Sequence, residues 1–66
     1  MHKINEYMKV GDTAQIDPRI TGLKNWIEGV IIKIRQNPFI GKEIVVKDSN
    51  GVIHFDSEKY FKSVSK

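Results

Sequence analysis

Five cations, Lys24, Lys33, Arg35, Lys42 and Lys47, run through the middle of the chain with Trp26 and Phe39 set among them. Ammonium and guanidinium groups neutralise phosphates and release counterions, and an aromatic ring offers its face to an unpaired base of any identity. Cations interleaved with rings are the chemistry of a nucleic-acid surface, and these seven residues form the candidate binding set. The rings also suit a second chemistry. Trp26, Phe39 and Tyr60 stand at the ends of loops, where an exposed cluster makes a groove or hot spot for a protein or peptide. The two readings separate on salt, because phosphate binding weakens steeply with ionic strength and docking on an aromatic groove does not.

Other chemistries find less support. His54, Asp56 and Ser57 contain the letters of a hydrolytic triad. Neighbours on a strand point to opposite faces, however, and a nucleophile needs its base within hydrogen-bond reach. The expectation is a solvated hairpin edge and no enzyme. Asp48-Ser49-Asn50-Gly51 has the start of a calcium loop without the distal bidentate glutamate such a loop requires, and a hairpin turn accounts for it. With no cysteine and two distant histidines, His2 and His54, no metal or other cofactor is expected.

Sixty-six residues with 39% hydrophobic and 29% charged side chains fit one small globular domain and not a disordered tract. Eleven Lys and Arg against eight Asp and Glu leave a net charge of +3, mildly attractive to polyanions but short of a surface dominated by one sign. No signal-peptide core is seen in residues 1–10, and no apolar run is longer than that of Val30–Ile32. No membrane association, a cytoplasmic location and a monomer or weak dimer are therefore the expectations.

Five short strands would position the candidate residues. Ile27–Arg35 is the densest β-branched stretch and predicts a central strand, with Val30, Ile32 and Ile34 on one face at a spacing of two. Before it, Thr13–Asp17 alternates as a strand that Pro18 ends, and Arg19–Asn25 reads as a long loop with Ile20 and Leu23 tucked onto the core. After it, Pro38 and Gly41 mark a turn, Glu43–Asp48 resumes strand character, and Val52–Asp56 returns after Asn50-Gly51. Ser57–Tyr60 fits a single capped 3₁₀ turn and Phe61–Val64 a last strand. Residues 1–9 read as a flexible N-terminal arm, with one amphipathic turn at Ile4, Tyr7 and Met8 or with Tyr7 or Met8 laid on the domain of residues 10–64.

Register follows from the turns. A two-residue type I′ loop at Asn50-Gly51 sets Val46 opposite Phe55, Lys47 opposite His54 and Asp48 opposite Ile53. Pairing Ile34 with Ile44 sets Ile32 opposite Val46, Lys33 opposite Val45 and Arg35 opposite Glu43. The inner face is then Val30, Ile32, Ile34, Ile44, Val46, Ile53 and Phe55. Truncating Ile32 to alanine should, on this reading, cost about 2–5 kcal/mol.

Val10-Gly11-Asp12, Glu28-Gly29-Val30-Ile31, Val46-Lys47-Asp48 and Asn50-Gly51, in this order, resemble the KOW-type and related small bacterial SH3-like domains. In those families a Gly-Asp pair opens the first strand and a Glu-Gly pair the second. The resemblance spans about Val10–Val64 and implies an all-β, five-stranded SH3-like small barrel with one 3₁₀ turn, acting as a non-enzymatic binding module. The segment Gly22-Leu23-Lys24-Asn25-Trp26 is longer than the glycine turn of the KOW motif and carries a tryptophan, so ribosomal or transcription-factor roles do not transfer. SH3-like barrels bind nucleic acid, proline-rich peptides or proteins, and the fold leaves that choice open. Because a β-branched residue resists positive φ, Gly51→Val is expected to lower the melting temperature markedly, and an unchanged melt would exclude a tight turn at Gly51.

Overall fold

A computed structural model of the chain describes residues 8–64. It is all-β apart from two short turns: β1 (Thr13–Ile16), α1 (Pro18–Thr21), β2 (Ile27–Asn37), β3 (Gly41–Asp48), β4 (Ile53–Ser57), a 3₁₀ turn (Glu58–Tyr60) and β5 (Phe61–Ser63). The strands form one antiparallel sheet in the order β4-β3-β2-β1-β5. Among the described residues no ladder joins β4 to β5, so hydrogen bonding does not close the sheet into the expected barrel. Of the proposed N-terminal arm, Ile4 and Tyr7 lie outside the described residues, whereas Met8 is buried in the core.

The core is small and mostly β-branched: Ala14, Ile16, Ile31, Ile44, Val46, Phe61 and Met8, with Ile20, Ile27, Ile34 and Tyr60 packed around it. β1 supplies Ala14 and Ile16 by simple alternation. The segment expected to be loop from Arg19 onward starts instead with a helical turn. Asp17 caps it by accepting from the Arg19 N–H at 2.8 Å, Pro18 takes the first helical position, and Gly22 ends it at φ 81°. The turn brings Ile20 against the core as expected, but Leu23 beyond it is exposed.

β2 departs most from the expected pattern. Its first residues pair with β1 (Ile16 opposite Ile27, Ala14 opposite Gly29), and from Gly29 onward it pairs with β3. Ile31 faces Val46, but Lys33 faces Val45, so Ile32 is an extra residue bulged out of the ladder. The bulge changes the phase of the strand. Ile31 is fully buried while Val30 and Ile32 are 46% and 43% exposed, reversing the inner-face assignment of those two residues. Beyond the bulge the expected pairs Lys33–Val45, Ile34–Ile44 and Arg35–Glu43 are all present.

The β3–β4 hairpin is also one residue out of the expected register. Val46 faces His54, Lys47 faces Ile53 and Val45 faces Phe55. The loop has three residues, Ser49, Asn50 and Gly51, with Gly51 at φ 82°. Asp48 explains the extra residue. Its N–H donates to Val52 O, its carbonyl accepts from Gly51 N, and its Oδ1 accepts from both Asn50 N and Val52 N. The three-residue hairpin loop, with its last residue left-handed, thus gathers four hydrogen bonds on Asp48. Since a one-residue slip turns every side chain over, Ile53 and Phe55 face outward and His54 inward.

One pair of substitutions tests this phase, and a single one tests the close approach of β3. Ile31→Ala should cost about 2–5 kcal/mol in denaturant unfolding, while Ile32→Ala should cost well under about 1 kcal/mol, and equal costs would place the bulge elsewhere. Gly29 has no positive φ, yet a Cβ there would lie 2.5 Å from Val46 Cγ1 and 2.6 Å from the Lys47 carbonyl oxygen. Gly29→Ala should therefore destabilise by about 1–3 kcal/mol or more through overpacking.

Candidate binding face

The phase shifts gather a surface that the strand pattern alone does not disclose. On the outer side of β2, β3 and β4 the side chains stand in rows set by the ladder: Val30, Lys47 and Ile53 in one, Ile32 and Lys33 with Val45 and Phe55 in the next, and Arg35, Glu43 and Ser57 in a third. Val30, Ile32, Ile53 and Phe55 are exposed, Phe55 at 60%, and Val45 lies half-buried among them. Lys33 and Lys47 form no ion pair with any described residue. Glu43 is 4% exposed and is engaged by Arg35, whose Nε donates to Oε1 at 2.8 Å. Lys33 and Lys47 thus project from an apolar centre whose carboxylate is already neutralised.

The expected binding residues divide over this geometry. Lys33, Arg35 and Lys47 share the outer face. Lys42 pairs opposite Gln36 with the strand phase of Ile44, so it belongs to the other side. Lys24 lies exposed in the segment after α1. Trp26, at the entrance to β2, is half-buried and outside the core cluster, with the Lys62 ammonium 4.4 Å from its ring centroid. Phe39 is 92% exposed at the tip of the β2–β3 turn, where Asn37 Oδ1 accepts from Phe39 N at 2.8 Å. Phe39 and Tyr60 line one cleft with Ile40, Asp56, Ser57 and Lys59, and Trp26 is not part of it. Tyr60 packs on the core, flanked by Arg19 and Lys59 at 5.0 and 5.4 Å from its ring centroid.

Alternation alone predicts Phe55, Val30, Ile32 and Ile53 in the core, whereas they form the apolar part of this face. One signal in the sequence bears on two of them: the aspartate directly before Ser49-Asn50-Gly51, which favours the three-residue loop and so turns Ile53 and Phe55 outward.

Inward of the hairpin, His54 is not a solvated edge residue. Its side chain is 13% exposed, and Nε2 lies 2.8 Å from Asp48 Oδ2, so with an ionised carboxylate that ring nitrogen carries the proton and donates. The hydrogen bond from His54, then those from Val52 and Asn50, outweigh burial and hold the Asp48 carboxyl below its ordinary value. Asp17 is lowered in the same direction, first by the Arg19 side chain, whose Nη2 donates at 2.8 Å, and next by the Arg19 N–H. Among the described residues no three His, Asp or Glu side chains gather as a metal site, and no helix is long and apolar enough to cross a membrane.

No family model, no curated protein and no solved structure matches the chain. Its class rests on the fold itself, a small five-stranded antiparallel β domain with a 3₁₀ turn before the last strand.

Because the folded carboxyl of Asp48 titrates below its unfolded value, its contribution to stability is complete above about pH 4 and disappears as pH falls through the lowered folded value. Melting temperature followed from neutral pH downward should therefore fall less steeply in Asp48→Asn than in the wild type below about pH 4. Asp48→Asn should also be the less stable protein at neutral pH, and parallel acid limbs would mean the carboxylate is not held as described.

Proposed function

We propose that the chain is a small non-enzymatic binding module of the cytoplasm with an SH3-like barrel fold, and that the outer face of β2–β4 takes up single-stranded nucleic acid. The fold assignment is supported by a five-stranded meander whose first strand sits between the second and the last, with a 3₁₀ turn leading into β5. One observation carries the functional reading: the exposed ring of Phe55 shares a row with Lys33, across Val45 of the intervening strand, and is diagonal to Lys47, and neither lysine has a described acidic partner. A ring flanked by unpaired ammonium groups on an open sheet face suits an unpaired base and its adjoining phosphates, whereas a duplex offers no base face to stack on.

A protein partner is the second reading, favoured by the exposed aliphatic side chains of Val30, Ile32 and Ile53 on the same face. Contiguous apolar surface of this kind marks protein-docking sites. Glu28, in strand phase with Val30, bounds the positive region at the β1 side.

Anisotropy titrations with a labelled oligothymidylate over a salt series separate the two. The affinity should fall linearly on logarithmic axes, and Lys33→Ala and Lys47→Ala should each reduce the slope by about 0.7. Phe55→Ala should weaken binding by about 1–3 kcal/mol while leaving the slope unchanged. Absence of binding at low salt, or binding indifferent to all three substitutions, would remove nucleic acid from this face and leave the protein reading.

A further inference from the structure

The two edges of the sheet are unlike. β5 has three residues and carries Lys62, a short charged edge of the sort that resists pairing. β4 has five residues, Ile53-His54-Phe55-Asp56-Ser57, with no lysine, proline or bulge, and two of its outward side chains are exposed and apolar. Natural sheets ordinarily blunt such an edge. α1 approaches β4, but no described hydrogen bond joins them.

Hydrogen bonding fixes which groups the edge offers. The Asp48 N–H donates to Val52 O at 2.9 Å, making that pair a bonded rung of the hairpin. Antiparallel rungs alternate, so His54 and Asp56 turn their backbone groups toward β3, while Ile53, Phe55 and Ser57 turn theirs away from the sheet. The Ser57 N–H is satisfied locally by Asp56 Oδ1 at 2.7 Å, as suits an edge position, and the N–H groups of Ile53 and Phe55 have no described partner outside the strand.

We infer that β4 is a homodimerisation edge, pairing antiparallel with β4 of a second copy about a two-fold axis at Phe55. This register pairs all five residues, and it matches every outward group except the Ser57 N–H, which Asp56 Oδ1 already holds. Phe55 N–H and C=O exchange bonds with Phe55 of the second copy, and each Ile53 N–H donates to Ser57 O across the axis. The side chains are compatible as well. Phe55 meets Phe55 on the outer face, Ile53 meets Ser57, and His54 lies beside Asp56, a base against an acid. The neighbouring register, centred on His54, would oppose two histidines and leave residues unpaired. An isologous strand pair of this kind closes at two copies. It joins the two outer faces into one ten-stranded surface, and it stands whether or not that face binds nucleic acid.

Sedimentation equilibrium of the protein alone, from micromolar to about millimolar concentration, tests it. The expected result is a mass rising from the 7.6 kDa monomer toward twice that value. Phe55→Lys sets like charges directly opposite and should weaken association about tenfold or more, with an unchanged circular dichroism spectrum showing that the domain still folds. Phe55→Cys supplies the chain's one thiol at a bonded rung, where the Cα separation of about 5.5 Å admits a disulfide. Under mild oxidation it should cross-link at least about tenfold faster than Phe39→Cys, a still more exposed thiol away from the edge. A monomer at every concentration, association indifferent to Phe55→Lys, or equal cross-linking of the two cysteine variants would each overturn the inference.

Discussion

The fold depends on one strand serving two neighbours. β2 gives its first residues to β1 and its remainder to β3, and the two ladders overlap at Gly29–Val30. Where the two ladders overlap, β3 approaches closely. Gly29 permits this by having no side chain, since the space a Cβ would take is held by Val46 and the Lys47 carbonyl. Just past Gly29, Ile31 is anchored on the other side: its N–H donates to Asp12 O and its carbonyl accepts from Gly11 N. Ile31 and Ile34 are three residues apart, a spacing that cannot share one face of a regular strand. The extra residue at Ile32 resolves the conflict, allowing both to face inward while Lys33 stays out.

Buried carboxylates organise the rest. Asp17 caps α1 and grips Arg19, Glu43 holds Arg35 across the β2–β3 ladder, and Asp48 collects two backbone donors and the His54 ring at the β3–β4 turn. No buried side-chain polar atom among the described residues lacks a hydrogen-bond partner. In a core this small an unsatisfied carboxylate would cancel the burial of one of its few large aliphatic side chains. Each pairing also uses an acid locally, and Arg35 is the only cation of the outer face to be drawn in. The positive character of that face follows from where the acids are employed, more than from the net charge of the chain.

Much of the fold was legible because it is written in short-range rules. The alternation of Thr13–Ile16, the β-branched run after Trp26, the capping serine at Ser57 and the positive-φ requirement at Gly51 all act within a few residues, and all lie where the sequence placed them. The pairs Lys33–Val45, Ile34–Ile44 and Arg35–Glu43 were legible for the same reason, being set by the nearby Asn37–Gly41 turn. What was not legible depended on a second strand. Counting by twos from Ile34 passes through Ile32 to Val30 and misses the bulge, because only the close approach of β3 and the bonds to Gly11 and Asp12 show that Ile31 must be inside. The candidate site inherited this. Lys33, Arg35 and Lys47 were found as cations, but Phe55, Val30, Ile32 and Ile53 were counted as core, and Lys24, Trp26, Phe39 and Lys42 turn out to stand elsewhere.

The outward turn of Ile53 and Phe55 traces to a single loop residue. Asp48 supplies the carboxylate that three groups need, and by doing so it adds one residue to the hairpin loop. That residue sets the phase of β4. In the alternative phase Phe55 and Ile53 would lie inside and His54 would be placed outside, away from the acid that now holds it, and the face would keep only Val30, Ile32 and Val45 as its apolar part. In the observed phase the core loses two large side chains, a cost in buried apolar area of roughly 1.5–3 kcal/mol for each. The hydrogen bonds at Asp48 offset part of that loss, and Met8 and Phe61 fill the interior from the chain ends. The remainder appears as exposed apolar surface on a strand whose outer edge is unprotected. Stability in the turn and apolar exposure on the face are therefore coupled through the same carboxylate.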